Sequence, residues 1–137
     1  PKLKGVAWIF DDQSLYLQRD DFVPVSRFGL SYIDLLASCD LVLTKTGYGT
    51  QTEAVVNQIP AICVQRGDWP EEPYLAAWHQ EHGEVVFVDW AEVQTGTFVE
   101  QVQKLLSSTW SKERVIATGA AEAAAFIQRI LASSKST

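Results

Sequence analysis

Asp40-Leu41-Val42-Leu43-Thr44-Lys45-Thr46-Gly47-Tyr48-Gly49-Thr50-Gln51-Thr52-Glu53 decides how this chain is read. Residues 41–44 are strand formers behind an aspartate and predict a buried strand. Gly47 and Gly49 predict a loop that takes positive φ and lets another group come close to the backbone. Thr50 or Thr52 is expected to cap a helix over residues 51–58, which carries Glu53, Ala54, Val55 and Val56 and stops before Pro60. A helix opening from such a loop presents free N–H groups and the positive end of its dipole, an arrangement that suits an anion, most often a phosphate. Glu53, close to that end, offers a carboxylate to sugar hydroxyls. The plainer reading is an ordinary strand-to-helix turn whose glycines only make it tight, and spacing alone leaves both open.

Working outward, the apolar run Gly5-Val6-Ala7-Trp8-Ile9-Phe10 reads as a strand covered on both faces. Residues 13–21 are polar and read as loop. Residues 22–25 form a short strand, at an edge or strand end because of Pro24. Ser31 is a good N-cap for a helix over 32–38, where Ile33, Leu36 and Ala37, with Leu35 nearby, cover one face. Downstream, residues 61–64 and 85–88 read as strands. Residues 73–81 read as a helix with Leu75, Ala76 and Trp78 towards the core, and Gly83 as its stop. Apolar positions 98, 99, 102, 105 and 106 make a helical stripe. The alanine-rich stretch over 120–131 reads as a helix that lays Ala123, Ile127, Ile130 and Leu131 on the sheet, and the tail after it frays. Strands alternate with helices, so the fold class is α/β with a mostly parallel sheet. In such a sheet the loops after parallel strands share one edge, where ligands bind. The loop Gln65-Arg66-Gly67-Asp68-Trp69-Pro70-Glu71-Glu72-Pro73 should therefore face the same crevice as Gly47. Its arginine, carboxylates and tryptophan suit a ligand, and they equally suit a solvated loop with Trp69 folded onto the core.

At 137 residues and 47% hydrophobic, the chain fits one domain, residues 1–137, with a real core. A net charge of -6 and a pI near 4.8 argue against general nucleic-acid binding, since no basic surface is available to displace counterions. Backbone N–H groups can still hold a small phosphorylated ligand. Cys39 and Cys63 read as small core residues of a reducing compartment, and the chain as cytoplasmic, without a leader or a membrane span. Pro1 fits either removal of an initiator methionine or excision from a longer protein. No spacing predicts a metal site. His79 and His82, i and i+3, read as part of a solvated helix face.

The stretch around Gly47 resembles the donor motif of glycosyltransferases of the GT-B fold. That motif reads aspartate, apolar strand, two residues, glycine, a variable pair, Ser or Thr, two residues, glutamate. Here these are Asp40, residues 41–44, Lys45-Thr46, Gly47, Tyr48-Gly49, Thr50, Gln51-Thr52 and Glu53, with Ile59-Pro60 as the apolar-Pro pair that follows the helix. Lys-Thr-Gly-Tyr-Gly-Thr followed by Arg-Gly-Asp-Trp-Pro-Glu-Glu-Pro is closest to the glycosyltransferase-like branch related to the N-terminal part of arabinokinase-type proteins. The resemblance spans residues 22–90.

The resemblance implies a Rossmann-like three-layer sandwich that binds a nucleotide-sugar, a uridine diphosphate sugar being the expected donor. It places Gly47, Tyr48, Gly49, Thr50 and Lys45 at the donor phosphates and Glu53 at the ribose. Asp68 and Glu71 or Glu72 would lie at the sugar, in a loop longer than the plant-type one, and the backbone of Val23 at the base. Lys45 stands where many members have histidine or arginine and would act as a point charge, although an exposed lysine is the commoner outcome. No cofactor and no metal are implied. Two departures stand out. The family's opening strand, glycine-rich loop and helix are not seen before Gly5, and the N-terminal acceptor domain, which usually supplies the catalytic base, has no counterpart here. No catalytic residue is assigned. The expected function is the nucleotide-sugar-binding half of a glycosyltransferase, inactive as an isolated chain and completed by an acceptor domain or partner subunit. The alternative is a non-catalytic Rossmann-like module, or a split-enzyme subunit, that acts by docking on a partner. A flavodoxin-like or response-regulator domain fits less well, because the glycine loop follows the wrong strand for a flavin phosphate.

Overall fold

The structure, a computed structural model, describes residues 1–11 and 19–134. Strand β1 (Trp8–Phe10) runs parallel to β2 (Phe22–Pro24), with Ile9 opposite Val23. A 3-10 turn over Val25–Arg27 leads to helix α1 (Tyr32–Ala37). Ser31 caps α1 as expected, its hydroxyl accepting from the Asp34 amide at 3.2 Å. A second parallel sheet holds β3 (Val42–Lys45), β4 (Ala61–Val64) and β5 (Val85–Val88) in that order. Its register sets Leu43 beside Ile62 and Ile62 beside Val86. Helix α2 (Tyr48–Val56) joins β3 to β4, and α3 (Glu72–His82) joins β4 to β5. Helices α4 (Trp90–Thr95), α5 (Val99–Ser107) and α6 (Gly119–Ser134) follow.

The strand order dictates the layers. Each step from β3 to β4 to β5 goes the same way, and right-handed crossovers then put α2 and α3 on one face, where they pack against each other. Side-chain alternation sorts the core accordingly. Ile62 and Val88, with Leu41, Leu43, Val64 and Val86, meet Phe98 and the α5 residues Val102 and Leu105. On the opposite face Val42 meets Leu36, Ala54 and Ile59. Cys63 also points that way, its Sγ 4.0 Å from Nδ1 of His79 on α3. Helices α1–α3, the sheet and α5 thus form an α/β sandwich of the Rossmann-like kind. Trp8 ties β1 to the α5 layer through an edge-on contact with Phe98 at 6.2 Å.

Several expectations need correction. The first strand is the short segment at Trp8–Phe10, and its residues are only half-buried, so it is not covered on both faces. The loop expected over 13–21 lies largely outside the described residues. Ile33 and Ala37 are exposed, and Leu35 and Leu36 are the buried pair of α1. Helix α4 was not foreseen. Its signal is present in the sequence as the capping box Asp89–Glu92, with each side chain bonded to the other's amide at 2.8 Å. Helix α6 exists, but Ile127, Ile130 and Leu131 are each more than half exposed and do not lie on the sheet. The sheet face opposite α1–α3 is already filled by Phe98, Val102 and Leu105.

Candidate functional site

Helix α2 begins at Tyr48, three residues earlier than the threonines suggest. Neither Thr50 nor Thr52 caps it. The Thr50 Oγ1 lies 2.7 Å from the hydroxyl of Tyr32 on α1, and Thr52 donates back to the carbonyls of Tyr48 and Gly49. The N-cap is Gly47, with φ 177° and ψ 142°. That is extended backbone open to any residue, and Gly49 is not in the left-handed region either. The positive φ expected at these glycines is therefore absent. A Cβ built on Gly47 or on Gly49 would meet nothing within 4 Å. Neither backbone strain nor protein packing accounts for glycine at these two places. A side chain at either place would meet open space.

The amides of Tyr48, Gly49 and Thr50 have no acceptor among the described residues, as expected for the first turn of a helix. The Gly47 amide behaves differently. It donates to Oε1 of Gln51 at 2.8 Å, within the same helix. Gln51 is fully buried, and its Nε2 lies 2.9 Å from Nδ1 of His79, also fully buried. Burial holds His79 down at about 4, so its ring is neutral at pH 7. The solvated face expected for His79 and His82 is thus wrong for His79, which packs between α2 and α3. The spacing Glu72, Leu75, His79 is the signal that was missed, since these are the buried positions of α3 at i, i+3 and i+7.

The two loops at the carboxyl ends of β3 and β4 are joined by Glu72. Its carboxylate accepts from the Thr46 hydroxyl and from the amides of Arg66 at 2.8 Å and Gly67 at 2.9 Å. Burial works to raise the Glu72 pKa, but the Thr46 hydroxyl and the two amides outweigh it and hold the group below the usual glutamate range. Glu72 is therefore saturated by protein donors, and its role is to pin the loops together. Of the carboxylates named for a sugar, Asp68 and Glu71 are exposed. Above the loops Tyr48 meets the edge of Trp69 at 5.4 Å, and the Arg66 guanidinium lies 5.4 Å from the Trp69 ring. Partial desolvation and the nearby Glu71 carboxylate raise the Tyr48 phenol. Trp69 thus bridges the two loops rather than folding onto the core.

Glu53 is half-buried on α2, and its carboxylate takes no donor among the described residues. Lys45 is exposed at the end of β3. The structure brings Lys45, Gly47, Tyr48, Gly49 and Thr50 together with Asp68 and Glu71 along one edge of the sheet. Val23 lies in the middle of β2, in the other ladder, opposite Ile9. Among the described residues no group of His, Cys, Asp and Glu is arranged to hold a metal ion. Cys63 is inert by burial, which pushes its thiol up to about 12. Among the described residues no helix is long and apolar enough to cross a membrane. Set against protein-family models, curated proteins and solved structures, the chain matches none of them.

Proposed function

We propose that this chain is the nucleotide-sugar-binding half of a GT-B-type glycosyltransferase, with a uridine diphosphate sugar as the donor. The observation that carries the reading is the pair Gly47 and Gly49. The fold needs glycine at neither position, a Cβ at either would meet nothing within 4 Å, and the three helical amides that follow Gly47 have no acceptor among the described residues. A diphosphate fills such a place well. The amides of Tyr48, Gly49 and Thr50 would donate to its oxygens, the helix dipole would favour its charge, and Lys45 would add a point charge. Glu53, with its free carboxylate, would accept from the ribose hydroxyls. Asp68 and Glu71, exposed in the neighbouring loop, would accept from the sugar hydroxyls, and the backbone of Val23 is assigned to the base by resemblance alone. In the reaction the bond from the sugar to the diphosphate breaks and the acceptor hydroxyl takes the sugar. Fixed amides at the departing diphosphate would stabilise the charge that develops there. The acceptor and its base would come from an acceptor domain or a partner subunit, and the compartment is read as cytoplasmic.

A second reading is a module that works only by docking on a partner. The exposed Phe28 and Leu30 before α1, Ile33 within it, and the exposed apolar residues of α6 favour it. Titration calorimetry with uridine, guanosine and adenosine diphosphates, run with light scattering on the same folded sample, separates the two. The donor-site reading predicts heat with at least one nucleotide, lost in Glu53→Ala. No heat with any of them would overturn it, and self-association of that sample would select the second reading.

A further inference from the structure

The hydrogen bonds behind α2 carry information about proton positions. The Gly47 amide can only donate, so the Gln51 atom 2.8 Å from it must be the oxygen. The Gln51 NH2 then faces His79, and at 2.9 Å Nδ1 of His79 must be an acceptor. A neutral ring that accepts at Nδ1 carries its proton on Nε2. That Nε2 is buried with no partner among the described residues. Its space is reserved: a Cβ on Gly83 would lie 2.7 Å from Cδ2 and 3.0 Å from Nε2 of His79, and 2.9 Å from Cγ2 of Val55.

On the reading that the Gly47 turn receives a diphosphate, we propose that His79 acts through Gln51 as the positioning residue of that turn. The order His79 Nδ1, Gln51 amide, Gly47 N–H is directional. It turns the Gly47 amide inward and leaves the next three amides, those of Tyr48, Gly49 and Thr50, pointing outward together. It also fixes φ and ψ of Gly47, a residue whose backbone would otherwise be the least constrained in the turn. The neighbours of the His79 ring named here carry no charge at pH 7. Helix α2 presents Gln51 and Val55, β4 presents the Cys63 thiol, and the turn after α3 presents Gly83. The ring therefore stays in the accepting form, in line with its depressed proton affinity.

The test uses the full chain, with uridine diphosphate as probe. In nitrogen-15 spectra of the wild type at pH 7, His79 should show a protonated Nε2 and a bare Nδ1. The opposite tautomer, or a cationic ring, would overturn the inference. His79→Asn puts a carbonyl oxygen where Nδ1 was and should keep both slow hydrogen exchange at the Gly47 amide and near-native affinity. His79→Leu removes the acceptor and should speed exchange at Gly47 and weaken the nucleotide by about tenfold, the size of one lost hydrogen bond. Gln51→Met should do the same, and it covers the case in which His79→Leu does not fold. Equal exchange and equal affinity across folded variants would contradict the proposal. A wild type that binds no nucleotide but shows the exchange pattern would keep the positioning role and sink the donor-site reading alone.

Discussion

At the scale of the residue, Gly49 is where fold and function come apart most cleanly. It lies in the first turn of α2, outside the left-handed region, with empty space where its Cβ would stand. Alanine there should be welcome to the fold, since glycine inside a helix costs roughly 0.5–1 kcal/mol relative to alanine. On the proposed reading, the methyl group would crowd a diphosphate held by the neighbouring amides. Gly49→Ala is therefore expected to keep or slightly raise the melting temperature while weakening a nucleoside diphosphate by tenfold or more. Thermal unfolding and calorimetry on one preparation check both halves. Equal affinity in the two proteins would remove the reason given for the glycine. The sequence made Gly47 and Gly49 conspicuous, but for a reason the structure does not bear out. A glycine motif does not distinguish a residue that needs positive φ from one that needs only an absent side chain.

Among elements, Glu72 joins what the chain order separates. The loops after β3 and β4 have no backbone pairing of their own beyond the strand ends. One carboxylate takes the Thr46 hydroxyl and two amides of the next loop. Glu72→Gln puts an NH2 group opposite a donor and so leaves at least one loop amide, that of Arg66 or Gly67, without its acceptor, which costs about 1 kcal/mol, the net worth of one hydrogen bond. A fall in melting temperature of several degrees is expected, together with faster hydrogen exchange at Arg66 and Gly67. An unchanged melting temperature would show that the loops are held by other means. Strand β4, strand β5 and the span of α3 could be read almost to the residue, because apolar runs and flanking Pro60 and Gly83 mark them. The start of α2 could not. Its end is capped by Gly47 and braced by Gln51 and His79, contacts that depend on α3 lying beside α2. Glu72 was read as a ligand group for the same reason: a side chain that bonds a neighbouring loop looks, in sequence, like one reaching for a ligand.

For the whole molecule, strand-helix alternation was enough to give the α/β class; the side on which α2 and α3 lie follows only once the strand order is known, because handedness then leaves one choice. It did not give the division into two parallel ladders, nor the place of α6. Helical periodicity shows that a face is apolar and says nothing of which surface covers it. The apolar residues of α6 and those beside α1 are still exposed, while the Gly47 turn is built and braced from within. The central claim is that the outward amides of this turn grip a diphosphate. Amide nitrogen-15 spectra of the chain titrated with uridine diphosphate, and in parallel with uridine, test it most directly. The account predicts large shifts at Tyr48, Gly49 and Thr50 with the diphosphate and far smaller ones with the nucleoside, while Gly47, held by Gln51, moves little. Shifts confined to another part of the molecule, or none at saturating nucleotide, would contradict it.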